Sequence, residues 1–148
     1  MKMFAFVVLV PALAVGQASP SSVVEALYGD FPVSASANVM QQPRTVLERY
    51  FAPELITAIE ADERCVESTR EVCRLDFMPQ WDSNDPAAEN LEIGKVVDGA
   101  VSVRFDYPGR SSPIMLSYVL VETEIGWRIS DIRGADWALS EILAVSSK

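Results

Sequence analysis

The segment LEIGKVVDGAVSVRFDYPGRSSPIMLSYVLVETEIGWRISDIR, residues 91–133, decides the fold. In AVSVRFDY, Val101, Val103, Phe105 and Tyr107 alternate with Ser102, Arg104 and Asp106. A period of two puts each set on its own face of an extended chain, so this stretch reads as a half-buried strand. Asp98-Gly99 just ahead of it is a tight-turn pair, because a two-residue hairpin loop needs positive φ at its centre; LEIGKVV is therefore expected to pair with it as a hairpin. After PGRSSP, the run IMLSYVLVET is apolar on both sides over much of its length, which predicts an interior strand. Glu124-Ile125-Gly126 then turns the chain into WRISDIR. Strict alternation there puts Trp127, Ile129 and Asp131 on one face and Arg128, Ser130 and Ile132 on the other.

Upstream of the strands the period is helical. SSVVEALYGD predicts a short helix, with Ser22 and Glu25 at capping-box spacing and Gly29 as its stop. FPVSASANVMQQP has no sustained period and is interrupted by Pro32 and Pro43, so it reads as a loop. From there Val46, Leu47, Tyr50 and Phe51, and then Leu55, Ile59 and Val66, recur at helical spacing. Pro53 suits the first turn of a helix. Two helices, or one kinked at Ala52-Pro53, are thus expected over residues 43–67. Downstream of the strands, DWALSEILAV predicts an amphipathic last helix capped by Asp136 and carrying Trp137, Ile142 and Leu143. Helices followed by four strands in meander order predict an α+β domain, with helices packed on a curved antiparallel sheet and a short helix at the C-terminus.

The chain opens MKMFAFVVLVPALAVGQASP: a lysine, an apolar run, and small residues at the −3 and −1 positions of a cut after Ala18. This is the layout of a secretory signal peptide, and the run is short for a membrane span. Residues 1–18 are therefore expected to be removed, leaving one domain, 19–148, in the periplasm or outside the cell. Its 130 residues suffice for a single core, and with Lys2 gone its 11 basic and 21 acidic residues give a formal charge of −10. Such a surface repels phosphate backbones and anionic lipid, which disfavours nucleic acid and membranes as partners; a basic protein is favoured electrostatically. There is no histidine, so His-based triads, bases and metal ligands are excluded, and two cysteines alone complete no zinc site. No cofactor and no metal are expected.

Both cysteines lie in CVESTREVCRLDFMPQWDSND, residues 65–84 plus Asp85. A continuous helix would hold the Cα atoms of Cys65 and Cys73 about 12 Å apart, beyond the roughly 7 Å that a disulfide tolerates. In an exported chain an even cysteine count is expected to pair. The helix must then stop between them, near Ser68 and Thr69, whose side chains compete for the backbone. Asp82, Asn84 and Asp85 have a superficial calcium-loop spacing, but Pro86 stands where the loop needs glycine and no bidentate glutamate follows. Their simpler role is to cap turns and tie the loop to its own backbone.

FAPELITAIEADERC, RLDFMPQWDSND and GWRISDI together resemble the DUF3828 family of small exported bacterial proteins, over roughly residues 44–144. The resemblance rests on Phe51, Pro53, Glu54 and Leu55; on Asp76, Phe77, Pro79, Asn84 and Asp85; and on Trp127, Ile129, Asp131 and Ile132. Met78 stands where a second acid is common in that family. The resemblance implies an NTF2-like, cystatin-like fold and export, with no reaction attached.

Two functions from different classes follow. The first is a non-catalytic binding module for a basic protein, of inhibitor or immunity type, with Asp76, Asp82, Asn84, Asp85, Trp127 and Arg133 as candidate binding residues. The second is a pocket enzyme or small-molecule carrier. There Asp131, Tyr118 or Asp76 would do acid–base work, and Trp127, Tyr118 and Phe105 would line the cavity. A semi-buried Asp beside Arg is more often structural, which favours the first. A cavity of several hundred Å³ holding Asp131 would favour the second, and a filled core would oppose it.

Overall fold

A computed structural model describes residues 18–144 of the chain. All but the last residue of the expected signal segment lies outside them. Among these residues four α-helices and four strands follow one another as helix α1 (Pro20–Asp30), α2 (Arg44–Leu47), α3 (Pro53–Thr69), strands β1 (Glu89–Val97), β2 (Ala100–Asp106), β3 (Ile114–Thr123) and β4 (Gly126–Arg133), and α4 (Leu139–Ile142), with single 3-10 turns at Val33–Ala35 and Val39–Gln41 between α1 and α2. The sheet is an antiparallel meander in the order β1-β2-β3-β4, so the α+β architecture is as the sequence predicts.

The hairpin turn falls at Asp98-Gly99, both at positive φ (51° and 76°). Val101, Val103 and Phe105 point into the core while Ser102, Arg104 and Asp106 face outward, as their alternation requires. Against that inner face pack Val24, Leu27 and Tyr28 of α1, Leu55, Ile56 and Ile59 of α3, and Leu116 and Tyr118 of β3. β3 is interior to the sheet, yet Met115 and Val121 on its outer face are exposed. β1 is an exposed edge interrupted by two register shifts, a device that blunts edge-to-edge pairing. The other edge is covered: Ala52 N donates to Ile129 O at 2.9 Å and Ile129 N to Tyr50 O at 2.7 Å, so residues 50–52 run along β4 as a parallel bridge.

Three local expectations need correction. α1 begins at Pro20, whose missing donor costs nothing in a first turn; Ser22 lies inside the helix, no Ser22–Glu25 capping box forms, and Gly29 precedes the last helical residue. The 43–67 region is two helices, the first of the two arrangements expected, with α2 only four residues long and α3 continuing from Pro53 to Thr69. In β4, a bulge pairs Val119 with Asp131 but Leu120 with Ile129, leaving Ser130 unpaired. One extra residue reverses the alternation, so Asp131 lies on the face opposite Ile129 rather than beside it. Finally, Asp136 is not a cap: α4 starts at Leu139 after Ala138 and is a single turn.

Candidate functional site

The cystine forms as expected, with the Cα atoms of Cys65 and Cys73 6.1 Å apart. α3 ends between them. Ser68 Oγ and Thr69 Oγ1 both donate to the Cys65 carbonyl (3.0 and 2.9 Å), and Arg70 takes the left-handed conformation with its N–H bonded to Val66 O at 2.8 Å. Beyond Cys73 the chain is held again, by Asp62. This carboxylate, buried on α3, accepts from Arg74 N at 2.9 Å and Leu75 N at 3.3 Å. Sequence reasoning missed Asp62, although a signal was present: it stands at i+7 from Leu55, on the helix's otherwise apolar stripe.

The acidic stretch that follows is tied mainly to itself. Met78 N donates to Ser83 O and Trp81 N to Met78 O, both at 3.0 Å, and Asp85 N donates to Ser83 Oγ at 3.1 Å. Trp81 anchors the turn in the core, where Tyr107 Oη donates to its carbonyl at 2.6 Å. Asp82, at φ 50°, accepts from Trp137 Nε1 at 2.9 Å. Burial raises its carboxyl pKa, while the Trp137 bond and Arg110 oppose that shift. Trp137 in turn lies across Gly134, where a Cβ would come within 2.2 Å of the indole nitrogen. Asp82 is therefore a fastening between the acidic loop and the turn after β4. Asp76 and Asn84 are exposed and point elsewhere, into a hollow described below.

Asp131 is also a fastening. Its Oδ1 accepts from Ile132 N (3.0 Å) and Ser140 N (2.9 Å), and its Oδ2 from Arg133 Nε (3.0 Å) and Ser140 Oγ (2.8 Å). With only 4% of the residue exposed, it supplies the N-terminal acceptor that Asp136 was expected to give the last helix. A surface hollow of about 390 Å³ does include Asp131 and Arg133 in its lining. Both oxygens of that carboxylate are nevertheless occupied by the protein's own donors.

Tyr118 and Phe105 have no exposed surface at all; they fill the core rather than line a cavity. Tyr118 Oη lies 2.9 Å from Tyr28 Oη, and Tyr28 donates to the Gln80 carbonyl at 2.7 Å, so a hydroxyl chain ends on the acidic loop's backbone. Burial drives both phenols well above their usual pKa. They stay neutral near pH 7, which makes them structural donors. Gln80, wholly buried, donates to Ala37 O at 3.3 Å, and its Oε1 is the buried side-chain acceptor without a partner among the described residues. Trp127 is half-buried at the start of β4 and Arg133 exposed at its end, so the two do not form one site.

Two further hollows flank the cystine. A groove of about 890 Å³ runs over α3 from Pro53 to Cys65, walled by Cys73 and Arg74 and ending on Leu143 and Ala144, the last described residues. A smaller hollow of about 300 Å³ lies on the other side of the loop and brings Glu63 and Val66 of α3 against Val72, Leu75, Asp76 and Asn84. It joins two of the predicted binding residues, Asp76 and Asn84, to Glu63, which no motif marks. Burial, then the neighbouring Asp62 and Glu67, raise the Glu63 carboxyl pKa. Among the described residues neither Glu63 nor Asp76 has a basic side chain within 4.0 Å, and no group of three or more carboxylates or cysteines is placed to hold a metal ion. No helix among them is long and apolar enough to cross a membrane.

No family model matches this chain, and no characterised protein matches it in sequence. A solved structure with a similar course of chain is the phospholipid-binding protein from Ralstonia solanacearum in complex with a phospholipid, 14% identical, covering 85% of this chain and 83% of that one at a TM-score of 0.39.

Proposed function

We propose that the chain is an exported, non-catalytic binding domain of the DUF3828 type whose partner is a basic protein, in the manner of an inhibitor or immunity protein. The supporting observation is an excess of negative charge over α3 and the loop that follows it, part of which has no basic partner. Residues 53–85 carry nine acidic against three basic side chains, a local charge of −6, whereas residues 89–133 carry seven against five. Glu63, Glu67, Glu71 and Asp76 have no basic side chain within 4.0 Å among the described residues. A surface of one sign speeds encounter with a partner of the opposite sign and disfavours others. A cystine-stapled loop presents it, and disulfides persist outside the cytoplasm.

The Asp131 hollow is what a pocket enzyme or carrier would have in its favour. To act as a base, however, Asp131 would have to release Ser140 and with it the start of α4. The binding reading demands no such rearrangement.

The test is capture from a periplasmic or extracellular fraction, with the exported protein and a Glu63→Gln/Glu67→Gln/Glu71→Gln/Asp76→Asn variant as baits. A basic protein should be retained at low salt, released as salt rises, and lost with the variant. Retention of nothing at low salt, or equal retention by both baits, overturns the proposal.

A further inference from the structure

We infer that the hollow between α3 and the cystine loop seats one arginine side chain of the basic partner. This rests on the binding reading above and narrows it to a contact. The hollow, about 300 Å³, is at the small end for ligand pockets, a size suited to a side chain rather than a larger molecule. Its chemistry is divided. Val66, Val72 and Leu75 form an apolar wall, and Val72 keeps 66% of its surface exposed, so it is open to contact from outside. Glu63 and Asp76 add two carboxylates with no basic side chain within 4.0 Å among the described residues, and Asn84 adds an amide. An anion would meet like charge. A purely apolar ligand would strip water from two unpaired carboxylates, a cost it could not offset.

Arginine matches both halves: its methylene stem covers the valines while its guanidinium offers five donors in a plane to two carboxylates and an amide oxygen. Lysine has the stem but a single compact charge that cannot span both acids equally well. The walls are held in place beforehand. Glu63 and Val66 stand one turn apart on α3, and the disulfide together with Asp62 fixes the loop carrying Val72, Leu75 and Asp76 to that helix.

The experiment is a backbone-amide NMR titration of the exported protein with a blocked Gly-Arg-Gly peptide, its lysine and citrulline counterparts alongside. Shifts should centre on residues 63–66, 72–78 and 84, weaken several-fold with lysine and vanish with the uncharged citrulline. Glu63→Gln/Asp76→Asn should weaken binding at least tenfold, and Val72→Ser, at an exposed position, several-fold. Equal binding of citrulline, insensitivity to both variants, or shifts spread along Glu67 and Glu71 without preference for the hollow would each overturn the inference. Failure here with a basic protein still captured leaves the binding reading standing. Failure of capture with arginine still seated in the hollow removes the partner reading instead.

Discussion

At the scale of single residues, the acid that looked most like chemistry turns out to be an acceptor for the protein's own donors. Asp131 receives four hydrogen bonds and joins β4 to α4. Asp131→Asn keeps the shape but halves the acceptors and leaves Arg133 without its carboxylate, so a loss of about 2–3 kcal/mol is expected by urea unfolding. A change below about 0.5 kcal/mol would show that the tie is dispensable. Tyr50 makes the same point from a donor's side. Its hydroxyl donates to Asp30, and burial, then that hydrogen bond and the Asp30 charge, push its pKa up to about 12. An unfolded tyrosine ionises near 10, so between about pH 10 and 12 the folded state holds the proton more tightly and stability falls as pH rises. Tyr50→Phe should cost about 1 kcal/mol at neutral pH and flatten that alkaline slope, measured as melting temperature against pH; an unchanged slope would contradict the assignment. Neither Asp131's partner Ser140 nor Tyr50's partner Asp30 could be read from spacing, since nine and twenty residues separate them.

At the scale of elements, short-range rules served for several features whose partners are near in sequence, though not for the Ser22–Glu25 capping box, since α1 already starts at Pro20. The Asp98-Gly99 hairpin, the Pro53 helix start and the helix stop between the cysteines all depend on local φ preferences or on hydrogen bonds within four residues. They failed where another element intervened. The β4 bulge at Ser130 moved Asp131 to the opposite face, and Asp131 displaced Asp136 as the acceptor at α4. The cystine loop combines both cases, because a disulfide legible in spacing is doubled by an Asp62 clamp that was not. Replacing both cysteines by serine should cost about 2.6 kcal/mol, the loop-closure value for so short a loop. Hydrogen exchange should find the Arg74 and Leu75 amides still protected. Rapid exchange of both would mean that the disulfide alone holds the loop, and Asp62→Ala should give that result directly in the oxidised protein.

For the whole molecule, charge and core act separately. The helix and loop side concentrates negative charge, of which Glu63, Glu67, Glu71 and Asp76 have no basic side chain within 4.0 Å among the described residues, so added salt should raise the melting temperature by screening self-repulsion. The rise should be smaller in the four-site neutralised variant; a salt response identical in the two would place the repulsion elsewhere. The core, by contrast, is closed by Phe105, Tyr118 and Trp81, all buried. The sequence by itself determined the meander, its hairpin turn, the order of helices before strands and the cystine. Each of these follows from hydrophobic period, turn chemistry or chain distance, which are properties of neighbouring residues. Only the tertiary structure decided which acids are spent and which remain free. Asp62, Asp82 and Asp131 meet donors 12, 55 and 9 residues away, while Glu63 and Asp76, from a helix and a loop, converge on one hollow without a cation. The same side-chain type serves as fastening or as exposed charge according to what the fold brings opposite it, and that is fixed only when distant segments pack.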